Sequence, residues 1–374
     1  MHLVALNWRD IKNPEAGGAE IHLHEILKRM VARGHRATLF ATAWDGGKQQ
    51  DEIDGVRVIR RGDWWNANFV LPRAMQKYLR DHDADLVVED INKIPFFAPR
   101  YTRLPVLPVI PHLFGTTVFR ETNPVFASYV LAWESLIPRV YRDCRFAVIS
   151  PSTRDDLVLR GIDPAHIDVV LCGLDHGLFR RIPGVARERR PTLVHFGRMR
   201  RYKAIDVVIR ALSLVRAEIP EARLVIIGDG PDRERLDDVV RRERLHEAVH
   251  FSGRMSGAQM VEQLNKCHVF LNASPKEGWG LTVVEANACG VPVVGSNVPG
   301  LRDSIQDGVT GFLVPYGDVE AFAEKTAALL KDSALHERMS AAGFAWASTL
   351  TWDRCADEME PVFWRAIDEA KKKA

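Results

Sequence analysis

The sequence has few cysteines, no long apolar run and no excess of charge of either sign. Its 374 residues include five scattered cysteines, which argues against a disulfide framework. No stretch approaches the ~20 apolar residues of a membrane-spanning helix, and the N-terminus lacks the basic start of a signal peptide. Lys plus Arg is 51 and Asp plus Glu is 49, so charge gives no reason to expect nucleic acid as a partner. We therefore expect a cytoplasmic protein.

Short apolar runs alternate with amphipathic stretches along most of the chain. This alternation is typical of β–α–β units, which form a parallel sheet covered by helices on both faces. A charged segment with Pro and Gly at residues 181–191 interrupts the rhythm, and we interpret it as an interdomain linker. The sequence therefore predicts an α/β protein with two doubly wound parallel-sheet domains facing a cleft, residues 1–182 and residues 183–350.

The most informative stretch, Ser274–Ala286, joins a predicted strand to a predicted helix. Gly278 and Gly280 would let the backbone approach a ligand closely, and the helix start offers unpaired N–H groups to a phosphate. Glu285 would lie ~7 Å beyond the helix start, within reach of the two hydroxyls of a ribose. Glu277 precedes the glycines, on the side where a sugar would lie. A simple turn with solvated acids is the alternative.

A second candidate segment, Phe196-Gly-Arg-Met-Arg-Arg-Tyr-Lys203, follows the first strand predicted for the second domain. A nucleoside diphosphate carries concentrated negative charge. An arginine can bind it through two parallel hydrogen bonds, and a lysine can bring a compact positive charge to it. Cleavage of a bond to the β-phosphate builds further charge there, so Arg198 and Lys203 would stabilise the transition state. A solvated basic loop is the alternative for this segment.

Both segments closely resemble the glycosyltransferases of family 4, which are retaining enzymes with the GT-B fold of two Rossmann-like domains. Their Glu-x7-Glu motif matches Glu277 and Glu285. The wider resemblance is carried by three runs, Asn272-Ala-Ser-Pro-Lys-Glu-Gly-Trp-Gly, Glu285-Ala-Asn-Ala-Cys-Gly-Val-Pro-Val-Val-Gly295 and Asp307-Gly-Val-Thr-Gly-Phe-Leu-Val314. The resemblance implies transfer of a hexosyl group from a nucleotide diphosphate sugar to a hydroxyl of a glycan, lipid or small-molecule acceptor.

The resemblance also implies roles for individual residues. Glu285 would bind the ribose, Glu277 the transferred sugar, and Arg198 with Lys203 the diphosphate. No cofactor and no metal ion are expected, because these two cations would take a metal's role. A C-terminal helix over residues 351–374 would return to the first domain. The remaining residues implied to contact the donor are Gly17, Gly18, His112, Gly228, Arg254, Met255, Gly278, Trp279, Gly280 and Leu281.

Two alternative functions stay open. A sugar-nucleotide epimerase of related fold would need no acceptor, and a non-catalytic binding module would need no turnover.

The first domain also interleaves aromatic and basic residues, a pattern that suits a membrane interface or a lipid-phosphate acceptor as well as core packing or a lid. Peripheral contact with the inner face of a membrane is thus a hypothesis. The residues of this pattern are Trp64, Trp65, Phe69, Phe96, Phe97, Tyr101, Arg73, Lys77, Arg80 and Arg103.

Overall fold

The computed structural model describes residues 1–120 and 122–373. The chain divides into two compact units, the first comprising Met1–Gly173 with Trp352–Ala374 and the second Leu174–Thr351. The first boundary therefore precedes residue 182, where the sequence analysis placed it. The reason is local: the Leu174 N–H donates to the Leu350 carbonyl at 3.0 Å, and Leu174 is buried in the hydrophobic core of the second unit.

The first unit contains an eight-stranded sheet. Its central strands are buried along their whole length, as expected for strands with helices on both faces. The strands are β1 (His2–Leu6), β2 (Arg36–Ala41), β3 (Gln50–Ile53), β4 (Val56–Arg60), β5 (Leu86–Asp90), β6 (Val106–Ile110), β7 (Phe146–Val148) and β8 (Ile167–Val169). The helices are α1 (Gly18–Ala32), α2 (Ala67–Tyr78), α3 (Pro124–Ser135), α4 (Ile137–Val140) and α5 (Pro151–Leu159).

The strand order of this sheet is β3-β4-β2-β1-β5-β6-β7-β8, with β3 antiparallel to β4 and the other pairs parallel. The sequence analysis did not predict β3. This edge strand reads Gln-Asp-Glu-Ile, so no apolar run marks it. Its pairing depends on the turn at Asp54 and Gly55, both with positive φ, which returns the chain directly along β4.

The second unit contains a six-stranded parallel sheet of order β11-β10-β9-β12-β13-β14. Neighbouring residues of one strand enter different hydrophobic clusters, as Leu193 and Val194 do, so helices cover both faces. The strands are β9 (Thr192–Phe196), β10 (Arg223–Ile227), β11 (Val249–Gly253), β12 (Val269–Asn272), β13 (Val293–Ser296) and β14 (Gly311–Val314). The helices are α6 (Ile205–Glu218), α7 (Arg233–Arg242), α8 (Gly257–Lys266), α9 (Leu281–Ala288), α10 (Leu301–Ser304), α11 (Val319–Lys331) and α12 (Ser333–Ser348).

The last helix, α13 (Trp352–Lys373), belongs to the first unit. It packs along α1: Glu360 of α13 pairs with Arg33, just after α1, at 2.7 Å, and Phe363 of α13 is buried. Residue 374, the end of the predicted segment 351–374, lies outside the described residues. Two doubly wound parallel sheets confirm the predicted α/β class, whereas the cleft between the domains stays a prediction.

Candidate functional site

The strand order of the second unit reverses between its first strand, β9, and β12. Ligands of doubly wound sheets bind beyond the carboxyl ends of the strands at such a point. The loop after β9 carries Arg198 and Lys203, and the loop after β12 carries Glu277. The two segments that the sequence analysis singled out therefore leave neighbouring strands at one edge of the sheet.

Lys203 and Glu277 form an ion pair at this edge. The Lys203 ammonium lies 2.5 Å from Glu277 Oε1, and the two side chains are only 16% and 15% exposed. Arg198, on the same loop as Lys203, is exposed. The site thus offers a cation for a phosphate and a carboxylate for a sugar hydroxyl side by side, within a partly desolvated environment that strengthens both interactions.

Gly280 is required by the geometry of the loop that leads into α9. Its φ of +86° lies in the left-handed region, and a Cβ there would come within 2.9 Å of Ser304 Oγ and 3.0 Å of Leu301 Cδ2. The next residue, Leu281, begins α9, whose first N–H groups point toward the loop. Trp279, just before Gly280, is buried, and its indole nitrogen has no hydrogen-bond partner within the described residues.

Glu285 lies one turn into α9 and keeps some exposed surface. Burial of its carboxyl raises the pKa of Glu285 from 4.5 to about 8. At neutral pH the carboxyl is therefore mostly protonated in the unliganded chain. Sugar hydroxyls that donate to the ionised form would favour loss of this proton.

Gly300 supports the Glu277 loop, and the sequence analysis missed it. A Cβ on Gly300 would lie 2.2 Å from the Glu277 carbonyl oxygen, and its φ is +83°. The Glu277 N–H donates to the Pro299 carbonyl at 3.1 Å. The Pro-Gly pair after the strand β13 is a turn signal that could have indicated this support.

Gly228 packs closely against a neighbouring loop, and its predicted contact with the donor stays a prediction. A Cβ there would lie 2.0 Å from the Gly197 carbonyl oxygen, and the Gly228 N–H donates to the Gly253 carbonyl at 2.8 Å. This N–H is therefore committed within the protein. Arg254 is exposed, 3.8 Å from Asp229, whereas Met255 packs against the hydrophobic core.

Gly278 is half-buried on the loop before α9, and the other remaining predicted residues lie in the first unit. Gly17 precedes α1, and its N–H donates to Glu20 Oε2 at 2.7 Å, so this carboxylate occupies a position expected for a phosphate or sugar. Gly18, the first residue of α1, is exposed. His112 follows β6 and contacts Phe114 edge to face at 5.1 Å. The approach of these residues to a donor in the second unit stays a prediction.

Within residues 1–120 and 122–373, no group of three or more His, Cys, Asp and Glu side chains is arranged to hold a metal ion. Metal independence itself stays a prediction. In the same ranges, no helix combines the length and the apolarity that a membrane span requires.

Two family models match consecutive parts of the chain. The model described as Glycosyltransferase Family 4 matches residues 16–178, and that described as Glycosyl transferases group 1 matches residues 180–346. The match to the second model includes every candidate residue from Arg198 to Glu285.

Named relatives agree with these models. The GDP-mannose-dependent alpha-(1-6)-phosphatidylinositol monomannoside mannosyltransferase of Mycobacterium tuberculosis is 27% identical over 96% of this chain and 97% of its own. The D-inositol 3-phosphate glycosyltransferase of Mycolicibacterium paratuberculosis is 36% identical, over 55% of this chain and 49% of its own. The structure of a sucrose-phosphate synthase from Thermosynechococcus elongatus superposes with a TM-score of 0.83 at 20% identity, covering 97% of this chain and 98% of its own.

The fold, the paired loops and these matches define the class. The chain belongs to the family 4-like glycosyltransferases with the GT-B fold. Among enzymes it is a hexosyltransferase.

Proposed function

We propose that the protein transfers a hexosyl group from a nucleotide diphosphate sugar to an acceptor hydroxyl with retention of the anomeric configuration. The observation that carries this proposal is the Lys203–Glu277 pair beside the first turn of α9. The diphosphate end of a donor requires positive charge, and the sugar end requires a group that accepts hydrogen bonds from its hydroxyls. The name of the mycobacterial mannosyltransferase, which is GDP-mannose-dependent, supports the same donor class.

In the proposed reaction, the bond between the anomeric carbon and the β-phosphate oxygen breaks while the acceptor oxygen bonds to the same face of that carbon. The departing phosphate takes the acceptor proton. Arg198 and Lys203 stabilise the charge that develops on this phosphate. Glu277, held by Lys203, orients the sugar and is not the nucleophile. Glu285 accepts hydrogen bonds from the ribose.

Donor binding must exchange partners at the ion pair. In the unliganded chain, Lys203 and Glu277 neutralise one another. A bound donor would offer its diphosphate to Lys203 and its sugar hydroxyls to Glu277, so each charge would gain a new partner without being left buried alone. Such exchange keeps the cost of desolvating two charges low.

A donor screen tests the proposal. Purified protein is incubated with UDP-, GDP- and ADP-sugars, with and without a panel of glycan, lipid and small-molecule acceptors, and release of the nucleoside diphosphate is followed. We expect one donor to be consumed in an acceptor-dependent way, with a product of retained configuration. Isomerised donor in the absence of acceptor would instead indicate an epimerase, and binding without turnover would indicate a binding module.

Variants of the loop after β9 assign the roles. Lys203→Ala should lower turnover by about 100-fold, because one group that stabilises the developing phosphate charge is lost. The matched control is Arg201→Ala, which removes an exposed cation two residues away and should leave turnover nearly unchanged. Equal turnover of Lys203→Ala and the parent protein would remove Lys203 from the mechanism.

We further propose that the first unit touches a lipid surface or a lipid acceptor. Trp64 and Trp65 are 68% and 67% exposed, and Phe69 is exposed next to the cations Arg73 and Lys77. Exposed indole rings beside basic side chains suit the interface of an anionic membrane. The rest of the predicted aromatic group differs, because Phe96 and Phe97 are buried in the core of this unit.

Flotation with vesicles tests this contact. The protein should float with vesicles that contain anionic lipid, and replacement of Trp64 and Trp65 by serine should abolish flotation. Trp364→Ser, which alters an exposed tryptophan on α13, is the control and should float like the parent protein. Absence of the parent protein from the vesicle fraction would contradict the contact.

A further inference from the structure

A buried histidine joins the two strands from which the candidate loops leave. The ladder between β9 and β12 pairs Leu193 with Val269 and Val194 with Phe270. At the next position, the side chain of His195 makes the contact with β12: its ring nitrogen Nδ1 lies 2.8 Å from the Leu271 carbonyl oxygen. A side chain thus bridges the strands at the carboxyl end of the sheet.

The protonation state of this imidazole follows from its surroundings. A carbonyl oxygen can only accept, so Nδ1 carries the proton and Nε2 is the unprotonated nitrogen. His195 is 1% exposed, and Nε2 has no hydrogen-bond partner within the described residues. Burial is the main cause that lowers the pKa of His195 to about 4, and the charge of Lys203 contributes to this lowering. The ring is therefore neutral and held in one tautomer near neutral pH.

An apolar side chain would ordinarily occupy such a position. The neighbours of His195 along β9 are Val194 and Phe196, and the ring stacks on Phe270 at 6.1 Å. A leucine or phenylalanine would pack as well but would leave the Leu271 carbonyl without this donor. Packing alone therefore does not explain a histidine here, whereas the hydrogen bond from its Nδ1 to the Leu271 carbonyl does.

The His195–Leu271 bond joins the same two strands from which the loops of the Lys203–Glu277 ion pair leave. Lys203 follows β9 and Glu277 follows β12, and the charges of both act on the His195 ring. We propose that His195 is a positioning residue, whose bond to the Leu271 carbonyl sets the spacing of the two loops so that Lys203 and Glu277 meet one donor together. This inference rests on the proposed function. Because His195 is buried, the proposal gives it no contact with the donor or the reacting atoms.

Two amides of different length test the bridge. In H195N the amide nitrogen takes the place of Nδ1 and can still donate to Leu271, whereas in H195Q it takes the place of Nε2 and cannot. H195F keeps the ring volume without a donor. We expect H195Q and H195F to lower kcat/KM for the donor by about 10- to 100-fold, since small misplacements of catalytic groups have effects of this size.

H195N should stay within about threefold of the parent protein, because it restores the bond whose loss misplaces the loops. The KM for the acceptor should not change in any variant. Thermal midpoints are measured alongside, and H195N and H195Q are compared at equal folded fraction. His250→Asn, at an exposed position on β11, is the control and should behave as the parent protein.

The inference is overturned if H195F turns over donor as fast as the parent protein, or if H195N is as impaired as H195Q while equally folded. Both outcomes require an active parent protein. Absence of donor turnover by the parent protein would count against the proposed function instead, so the two failures are distinguishable.

Discussion

Replacing Glu285 with glutamine should remove a pH dependence of stability that the buried carboxyl creates. In the unfolded chain this glutamate ionises near pH 4.5, whereas in the folded chain it keeps its proton up to about pH 8. Between these values the folded state binds one proton more than the unfolded state. The free energy of unfolding therefore falls as the pH rises through this window.

The magnitude follows from the two pKa values. Their difference, 8 minus 4.5, corresponds to at most ~5 kcal/mol at ~1.4 kcal/mol for each pH unit. Because part of Glu285 is exposed, water relieves some of this penalty, and we expect ~1–3 kcal/mol. Glu285→Gln keeps the shape and is always neutral. It should match the parent protein below about pH 5 and be more stable by that amount above about pH 8.

Urea unfolding at a series of pH values measures this difference. The control is Glu247→Gln, which alters an exposed glutamate of the same unit and should shift the unfolding midpoint equally at every pH. Donor binding supplies a second readout, because ribose hydroxyls donate to the ionised carboxylate: the KM of the parent protein for the donor should fall as the pH rises toward about 8. A stability difference that does not vary with pH would refute the reasoning.

Three further variants test local features by urea unfolding. Ala204→Gly should raise the free energy of unfolding by about 1 kcal/mol, because Ala204 has a φ of +48° that glycine adopts without strain; a loss of stability would contradict this. Gly280→Ala should lower it by ~1–3 kcal/mol, given the φ of +86° and the 2.9 Å approach to Ser304, and an unchanged midpoint would argue against that strain. Arg60→Leu should lower it by ~3–5 kcal/mol, since Asp10, paired with Arg60 at 2.7 Å, would remain buried without its ion-pair partner. Arg57→Leu, on the exposed face of β4, is the control.

Much of the fold could be predicted because buried parallel strands appear in the sequence as continuous apolar runs. The strands predicted before the two candidate segments correspond to β9 and β12 of the structure. The edge strand β3 could not be predicted, because its polar residues pair through a turn and not through burial. The boundary before Leu174 was missed for a related reason: a contact with Leu350, far along the chain, decides to which unit it belongs.

The candidate site divides in the same way. Glu277, Glu285, Arg198 and Lys203 could be selected as candidates because the types and spacing of residues around a diphosphate are set by local chemistry. Their contact with a donor stays a prediction. The close packing of Gly228 against Gly197 could not be predicted, since close approach of two loops leaves no local pattern beyond the glycine.

By itself the sequence determined most of the alternation of strands and helices and the residue types offered to a donor, because propensity, periodicity and short motifs are properties of neighbouring residues. The class of enzyme followed from the resemblance of those motifs to a known family. Only the tertiary structure decided that Lys203 and Glu277 meet at 2.5 Å, that burial raises the pKa of Glu285 to about 8, and that His195 bridges to Leu271. Pairing and desolvation depend on which distant segments share one edge of the sheet, and strand order sets that arrangement.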